Sequence, residues 1–313
     1  MDCASTSMAG IRLSTMRVTT LAARTAYALA TIAVAVTVTF VGIRVLPGNA
    51  LRAQQVESGS NAVFQPADDA YADLNEPVVI QYVTYVSRLM RGDLGVSLYS
   101  GRSVSVLIGE RLSSTVILAS MSLLLTTVWI MIAAAGASVP RLRPAIDLVC
   151  VVGSAAPTFI TGTLAIAVLG IPSPSSVENV VAAAAVLSLY VAATIVIPLL
   201  ANIVDLERRS FVTTAHGKGL PPRRVFWIHI MPNAIRPLMG LIAVQIGFLL
   251  SGTVVTEVLF TRGGIGRLMI DSVMRRDYPV VQGLVLYVAS LYVIAQMIAR
   301  SLSDRDESGH FDA

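Results

Sequence analysis

Charge is what this sequence has least of. Only 13% of its 313 residues are Asp, Glu, Lys or Arg, where a soluble globular domain carries about a quarter. Hydrophobic residues make up 55%, and the mean hydropathy is +0.72. Those values exclude an ordinary soluble domain. Lysine is nearly absent: Lys218 is the single one, and Gly219 follows it. A phosphate-binding P-loop needs Gly-Lys-Ser or Gly-Lys-Thr, so none exists in this chain. The two cysteines, Cys3 and Cys150, are too few for a disulfide or metal framework. The three histidines, His216, His229 and His310, form no HExxH pattern, and no metal ligands or catalytic residues are expected. The net charge of +4 reflects arginine in loops rather than a nucleic-acid partner.

What the sequence does contain is long uncharged runs. They cover 25–43, 112–140, 148–177, 179–204, 237–256 and 278–299, and the shortest has 19 residues. About 20 apolar residues cross a bilayer as a helix, and only helices or closed barrels satisfy the backbone in lipid. The expected fold is therefore all-α and polytopic, with six spans near 25–45, 113–138, 148–170, 180–203, 237–257 and 279–300. Arginine sets the orientation. It recurs in the N-terminal tail (1–24), in the 2–3 loop, in the loop over 204–236 and in the C-terminal tail (303–313), and the 3–4 loop has none. Both termini and the 204–236 loop are expected in the cytoplasm, around a transmembrane domain over 25–302. Residues 48–111 are expected to be extracytoplasmic. The first span reads as an uncleaved anchor, and residues 1–15 as an extension ahead of a second possible start at Met16.

Within 48–111, Val79, Tyr82, Val83, Val86, Leu89 and Met90 fall on one helix face, expected on the membrane surface or against the spans. Arg91-Gly92-Asp93 reads as the turn ending that helix rather than as an adhesion motif. Small residues at 133–136, 162, 182–185, 240, 247 and 252 suit closely packed transmembrane helices. Pro157, Pro172, Pro174 and Pro198 mark kinks or ends. Gly263-Gly264-Ile265-Gly266 reads as a tight turn. The spans have no ionisable group in their interiors, which argues against an ion-coupled carrier.

The 204–236 loop has more layout than a chain reversal needs. Ser210 is expected to cap a short helix over 211–218. Lys218 suits its C-terminal dipole, Gly219 stops it in left-handed geometry, and Pro221-Pro222 block resumption. From Arg223 a second amphipathic piece leads to Pro232. A helix with one bulky residue, Phe211, among Thr213, Thr214, Ala215, His216 and Gly217 fits a groove on another protein. A plain surface loop is the alternative.

The layout resembles the EAA loop of permeases of binding-protein-dependent ABC transporters. Ala215, Gly219 and Pro232 match that pattern; Thr213, Thr214 and His229 depart from it. Thr214 to Leu220 is similar to the loop of the peptide-transporter branch. Leu46 to Asn49, Tyr82, and the segment Arg91, Gly92, Asp93, Leu94, Gly95 to Ser97 resemble further segments of the family. So do Glu257, Phe260, Gly264, Gly266, Leu268, Asp277, Pro279 and Gly283. The resemblance covers the chain from about Met16 and points to the first permease of the dipeptide, oligopeptide and nickel class, with a MetI-like fold. It implies a second homologous permease, two ATPase subunits or domains carrying ATP and Mg, and an extracytoplasmic substrate-binding protein. In that setting Phe211 would anchor the docking helix, Ala215 and Gly219 would permit close approach, and Lys218 would meet acidic or carbonyl groups. No cofactor is expected in this chain. A nickel or other small-solute importer, and an ATP-independent carrier or channel, remain alternative readings.

Overall fold

The computed structural model describes residues 25–43, 76–170, 173–174, 176–250 and 254–308, with the side chains of 299–308 excepted. The expectations for residues 1–24 and 309–313, for Leu46 to Asn49, for Pro172 and for Gly252 lie outside the described residues. Among the described residues the chain is helical, with one isolated antiparallel bridge between Val96 and Ser103. Helix α1 (Thr25–Ile43) is followed by α2 (Val78–Met90) and α3 (Val104–Ala137). A 3-10 turn at Pro140–Leu142 leads to α4 (Arg143–Ala155) and α5 (Thr158–Leu169). Then come α6 (Val177–Glu207) and α7 (Ser210–Gly217). Among the described residues five helices are long and apolar enough to cross a membrane, or six if one bent pair counts as a single span.

That bent pair corrects the expected third span. Instead of one helix over 148–170, α4 and α5 meet at 100°. The cause is Pro157, which precedes α5 and forces Ala156 into extended geometry (ψ 117°). Pro198, by contrast, sits inside α6 without ending it. Helices also outrun the uncharged stretches. Helix α3 begins at Val104, so residues 104–111, the end of the expected extracytoplasmic region, are the first turns of a long helix. Glu110 and Arg111 sit in its early turns, and Glu110 pairs with Arg102. An uncharged run marks the apolar part of a helix, not its ends.

The expected loop over 204–236 is itself largely helical. After α7 come α8 (Pro222–Val225), a π turn (Phe226–Ile230), α9 (Met231–Ile235), a 3-10 turn (Arg236–Leu238) and α10 (Met239–Leu250). The π turn accommodates Pro232, which has no N–H to donate and whose ring crowds the preceding turn. Met231 N–H reaches back five residues to Phe226 O, so the proline enters a widened turn. The remaining helices are α11 (Val254–Leu259), α12 (Ile265–Met274) and α13 (Tyr278–Ser308). Part of the tail expected over 303–313 is thus helical to Ser308.

Helices α3 and α6 pack along each other at the centre. One apolar cluster, with Ala133, Ala137, Leu199 and Ile203, gathers at the end bearing α7. A second, with Leu118, Leu187 and Phe260, fills the middle. A third, with Val104, Ile265 and Leu284, lies at the opposite end. Small residues set the spacing: a Cβ on Gly247 of α10 would lie 2.8 Å from Ala295 Cβ of α13. Of the two placements expected for the apolar face of α2, packing against the spans is not what Val79 and Val83 do. Val79, Val83 and Met90 are exposed, whereas Gln81 is buried. Tyr82 and Tyr85 face Phe40 of α1, and the Tyr82 hydroxyl shares a 2.7 Å hydrogen bond with Thr37. Aromatic and polar groups hold α2 to the bundle, so its aliphatic face is left to a lipid environment.

Candidate functional site

Helix α7 follows α6 after two residues, held by Arg208 N–H to Asp205 O (3.2 Å) and Arg209 N–H to Leu206 O (3.0 Å). Ser210 is its first helical residue. The residue before it, Arg209, has the extended geometry of a cap, and no side chain caps the helix. The Ser210 carbonyl instead accepts from the Thr214 hydroxyl at 3.0 Å. At the other end Gly219 has φ +76°, with Gly219 N–H on His216 O and Leu220 N–H on Ala215 O. That is the left-handed stop a glycine favours. Pro222 does not block resumption; it opens α8, because the first helical position needs no N–H.

Val212 and Ala215 point into the chain's own cluster with Ala133, Ala134 and Ala137. Phe211, Thr213, Thr214, His216, Gly217, Lys218 and Gly219 are exposed. This corrects the role assigned to Ala215, which is 7% exposed and lies in the chain's own apolar cluster, so its small size serves packing within the chain. At Gly219 the backbone angle by itself requires glycine. Pro232 is exposed and follows the π turn.

At the opposite end the remaining family-matching residues converge. Gly264 is the N-cap of α12 but has no side chain to cap with. Two other helices supply the acceptors. Thr115 Oγ1 of α3 accepts from Ile265 N–H at 2.8 Å. Glu257 Oε2 of α11 accepts from Gly266 N–H at 2.8 Å and Arg267 N–H at 3.2 Å. The Thr115 hydroxyl donates to Glu257 Oε1 at 2.7 Å. Glu257 is fully buried, and a helix N-terminus is where a buried carboxylate is best accommodated. Any side chain on Gly264 would collide with that carboxylate, and a Cβ on Gly266 would lie 2.6 Å from Val254 Cα. Gly264-Ile265-Gly266 is thus a helix start closed by other helices, more than a turn. Arg262, only 6% exposed, donates to Asn179 Oδ1 and Ser114 Oγ, both at 3.3 Å. Burial pushes its guanidinium below the usual value, with the Glu257 charge pulling the other way.

The second convergence joins segments 180 positions apart. Ser97 Oγ donates to Asp277 Oδ2 at 2.5 Å, and Leu98 N–H donates to Asp277 Oδ1 at 3.0 Å. Arg275 lies over the Tyr99 ring, 4.1 Å from its centroid. Arg91 and Gly92 (φ +77°) end α2, and Asp93 Oδ1 accepts from Gly95 N–H at 2.8 Å. The expected turn is present. Gly95 faces Pro279, and Gly283 of α13 lets Val104 of α3 approach. Ser97 was named only as the end of a family-like segment, and Thr115, Asn179, Tyr99 and Arg262 were not singled out from the sequence. Polarity alone does not identify a partner. Among the described residues no three His, Cys, Asp or Glu side chains could hold a metal.

The chain thus presents a helix at one end of an apolar bundle and a cross-tied cap at the other. The family described as "Binding-protein-dependent transport system inner membrane component" covers residues 127–305. The chain belongs to this family. It is a multi-pass protein of the cytoplasmic membrane and a transporter subunit rather than an enzyme. Its family works with ATPase and substrate-binding partners, and ATP hydrolysis is done by the former. It is similar to the "Probable peptide ABC transporter permease protein y4tP" of Sinorhizobium fredii, with 28% identity over 279 residues, 83% of this chain and 88% of that protein. It is also similar to the "Glutathione transport system permease protein GsiC" of Escherichia coli and of Shigella boydii. Both are 29% identical over 269 residues, again 83% of this chain and 88% of the relative.

Proposed function

We propose that this chain is a permease subunit of an ATP-driven importer of di- and oligopeptides, and that α7 is its coupling helix. One observation carries the reading. Helix α7 is rooted by Val212 and Ala215 while Phe211, Thr213, Thr214, His216 and Lys218 face outward. A short helix so seated transmits a push without slack. The family supplies the ATPase as the partner on that face. The α7 end is cytoplasmic, in line with the arginines at 208, 209, 223, 224 and 236. The chain pairs with a second homologous permease. Two ATPase subunits or domains bind ATP and Mg, and an extracytoplasmic binding protein delivers substrate to the Ser97–Asp277 end. ATPase closure then alternates access across the bundle. The peptide assignment is supported by the names of the relatives.

Affinity purification of the tagged chain in mild detergent tests the docking. Phe211→Ala combined with Lys218→Glu should insert normally yet lose at least about 90% of the copurifying ATPase, a loss of tenfold or more in association (about 1.4 kcal/mol). Undiminished ATPase recovery would sink the assignment of α7. Mass spectrometry of the ligand retained by the copurified binding protein tests the substrate. A peptide is expected; nickel, a sugar or another solute would replace the peptide assignment and leave the docking intact.

A further inference from the structure

One ion pair sits where motion of α7 would have to pass. Arg143, the first residue of α4, donates from its two terminal nitrogens to Glu207 Oε2 at 2.6 Å and Oε1 at 2.5 Å. Its Nε donates to Ala137 O at 2.8 Å, the last residue of α3. Glu207 is the last residue of α6. A single guanidinium therefore joins the ends of α3, α4 and α6. The pair is also sheltered, with side chains 16% and 33% exposed. In Arg102–Glu110, Arg209–Asp205 and Arg267–Asp271 every side chain is at least 40% exposed. An exposed pair of that kind contributes little, whereas a planar fork on a carboxylate fixes geometry as well as charge.

The position matters because nothing slack lies between this pair and α7. Two residues, Arg208 and Arg209, separate Glu207 from the helix, and both are held in backbone hydrogen bonds. Ala137, whose carbonyl Arg143 holds, is also in the cluster that seats Val212 and Ala215. Displacement of α7 thus loads α6 through the chain and α3 through packing. Helix α4 also packs on the bundle through Ile146, Cys150 and Gly153. Among the described residues, though, Arg143 supplies the side-chain hydrogen bonds that tie its first residue to both α3 and α6, and α4 leads to the 100° bend at Pro157.

We propose that Arg143, through Glu207 and the Ala137 carbonyl, is the positioning residue that makes α7 and the base of α4 move as one body. This rests on α7 being the coupling helix. Without the fork, α7 still docks, but its displacement is spent at the α3–α4 corner and does not reach the bend.

The test uses the complete transporter in lipid nanodiscs, with Cys3 and Cys150 replaced by alanine. Spin labels go on Ser210→Cys, at the start of α7 and outside its docking face, and on Ala145→Cys in α4, both exposed positions. The distance between them is read without nucleotide and after trapping with ATP and vanadate. With Arg143 present it should be the same in both states. In R143A it should shift by about 2 Å or more between states, or broaden by that amount. R143K keeps the charge without the fork and should behave like R143A. The pair R143E with E207R should recover a narrowed distribution in part, because the Ala137 carbonyl stays without a donor. An R143A complex whose distance stays fixed while its ATPase is bound would overturn the proposal. So would a swapped pair no narrower than either single variant. Should R143A not insert, R143K alone decides by the same criteria. Loss of the ATPase from Phe211 and Lys218 variants is a separate readout, which bears on docking and not on this strut.

Discussion

Glu257 is a charge held where no water reaches it. Burying a carboxylate is costly unless donors surround it, and here two backbone N–H groups and the Thr115 hydroxyl do so. Removing it leaves those donors unmatched in a buried site. Glu257→Ala should lower stability by about 3 kcal/mol, read as a shift of the unfolding curve in mixed detergent micelles. A change below about 0.5 kcal/mol, typical of a surface position, would show that the end of α11 does not depend on this carboxylate. The sequence marked Glu257, Gly264 and Gly266 by resemblance. It carried no sign that Gly264 makes room for the carboxylate and Gly266 for the backbone at Val254, or that Thr115, 142 residues earlier, donates to the same carboxylate.

Single elements here are punctuated by a few residues. Gly219 stops α7 at φ +76° with open space where a side chain would go. The cost of replacing it is therefore conformational, not steric. Gly219→Val should destabilise the α7–α8 connection by about 1–2 kcal/mol, and Gly219→Asn by less, since asparagine tolerates the left-handed region. Limited proteolysis between Lys218 and Arg224 should be faster in the valine variant and near normal in the asparagine one. Equal rates in both would argue against a left-handed stop. The stop was legible in the sequence, as were the turn at Arg91 to Asp93 and the existence of α2. The face of α2 was not. In water its aliphatic stripe would turn inward, but beside lipid an aromatic face that stacks on Phe40 wins.

For the whole molecule, the ends of the bundle differ in kind. One presents α7 and a run of arginines; the other is cross-tied by Asp277, Ser97 and Glu257. Sidedness follows from the positive-inside rule. In a background without Cys3 and Cys150, a cysteine at Tyr99 should react with a membrane-impermeant maleimide added to intact cells. One at Thr213 should react only after permeabilisation. The reverse pattern would invert the topology and remove α7 from the reach of any cytoplasmic ATPase. The same reagent cannot report on Ala215 or Glu257, because both are buried within the chain.

Membrane residence, the apolar cores of the spans, the lack of a P-loop motif and the stop after α7 all follow from local composition and local geometry. Uncharged length, one lysine without a following Ser or Thr, and a glycine before two prolines need no tertiary contact to be read. Which side of α7 is presented, and why Ala215 is small, was decided by packing on Ala133 and Ala137. The 100° break in the third span needed the pre-proline geometry of Ala156 as well as Pro157 itself. Pro198 shows that proline alone does not settle the matter. The ties from Arg143 to Glu207 and from Ser97 to Asp277 join residues 64 and 180 positions apart. Each residue type is polar and unremarkable in sequence. Only the fold brings a guanidinium and a hydroxyl to the two carboxylates, in surroundings dry enough for the geometry of those bonds to matter.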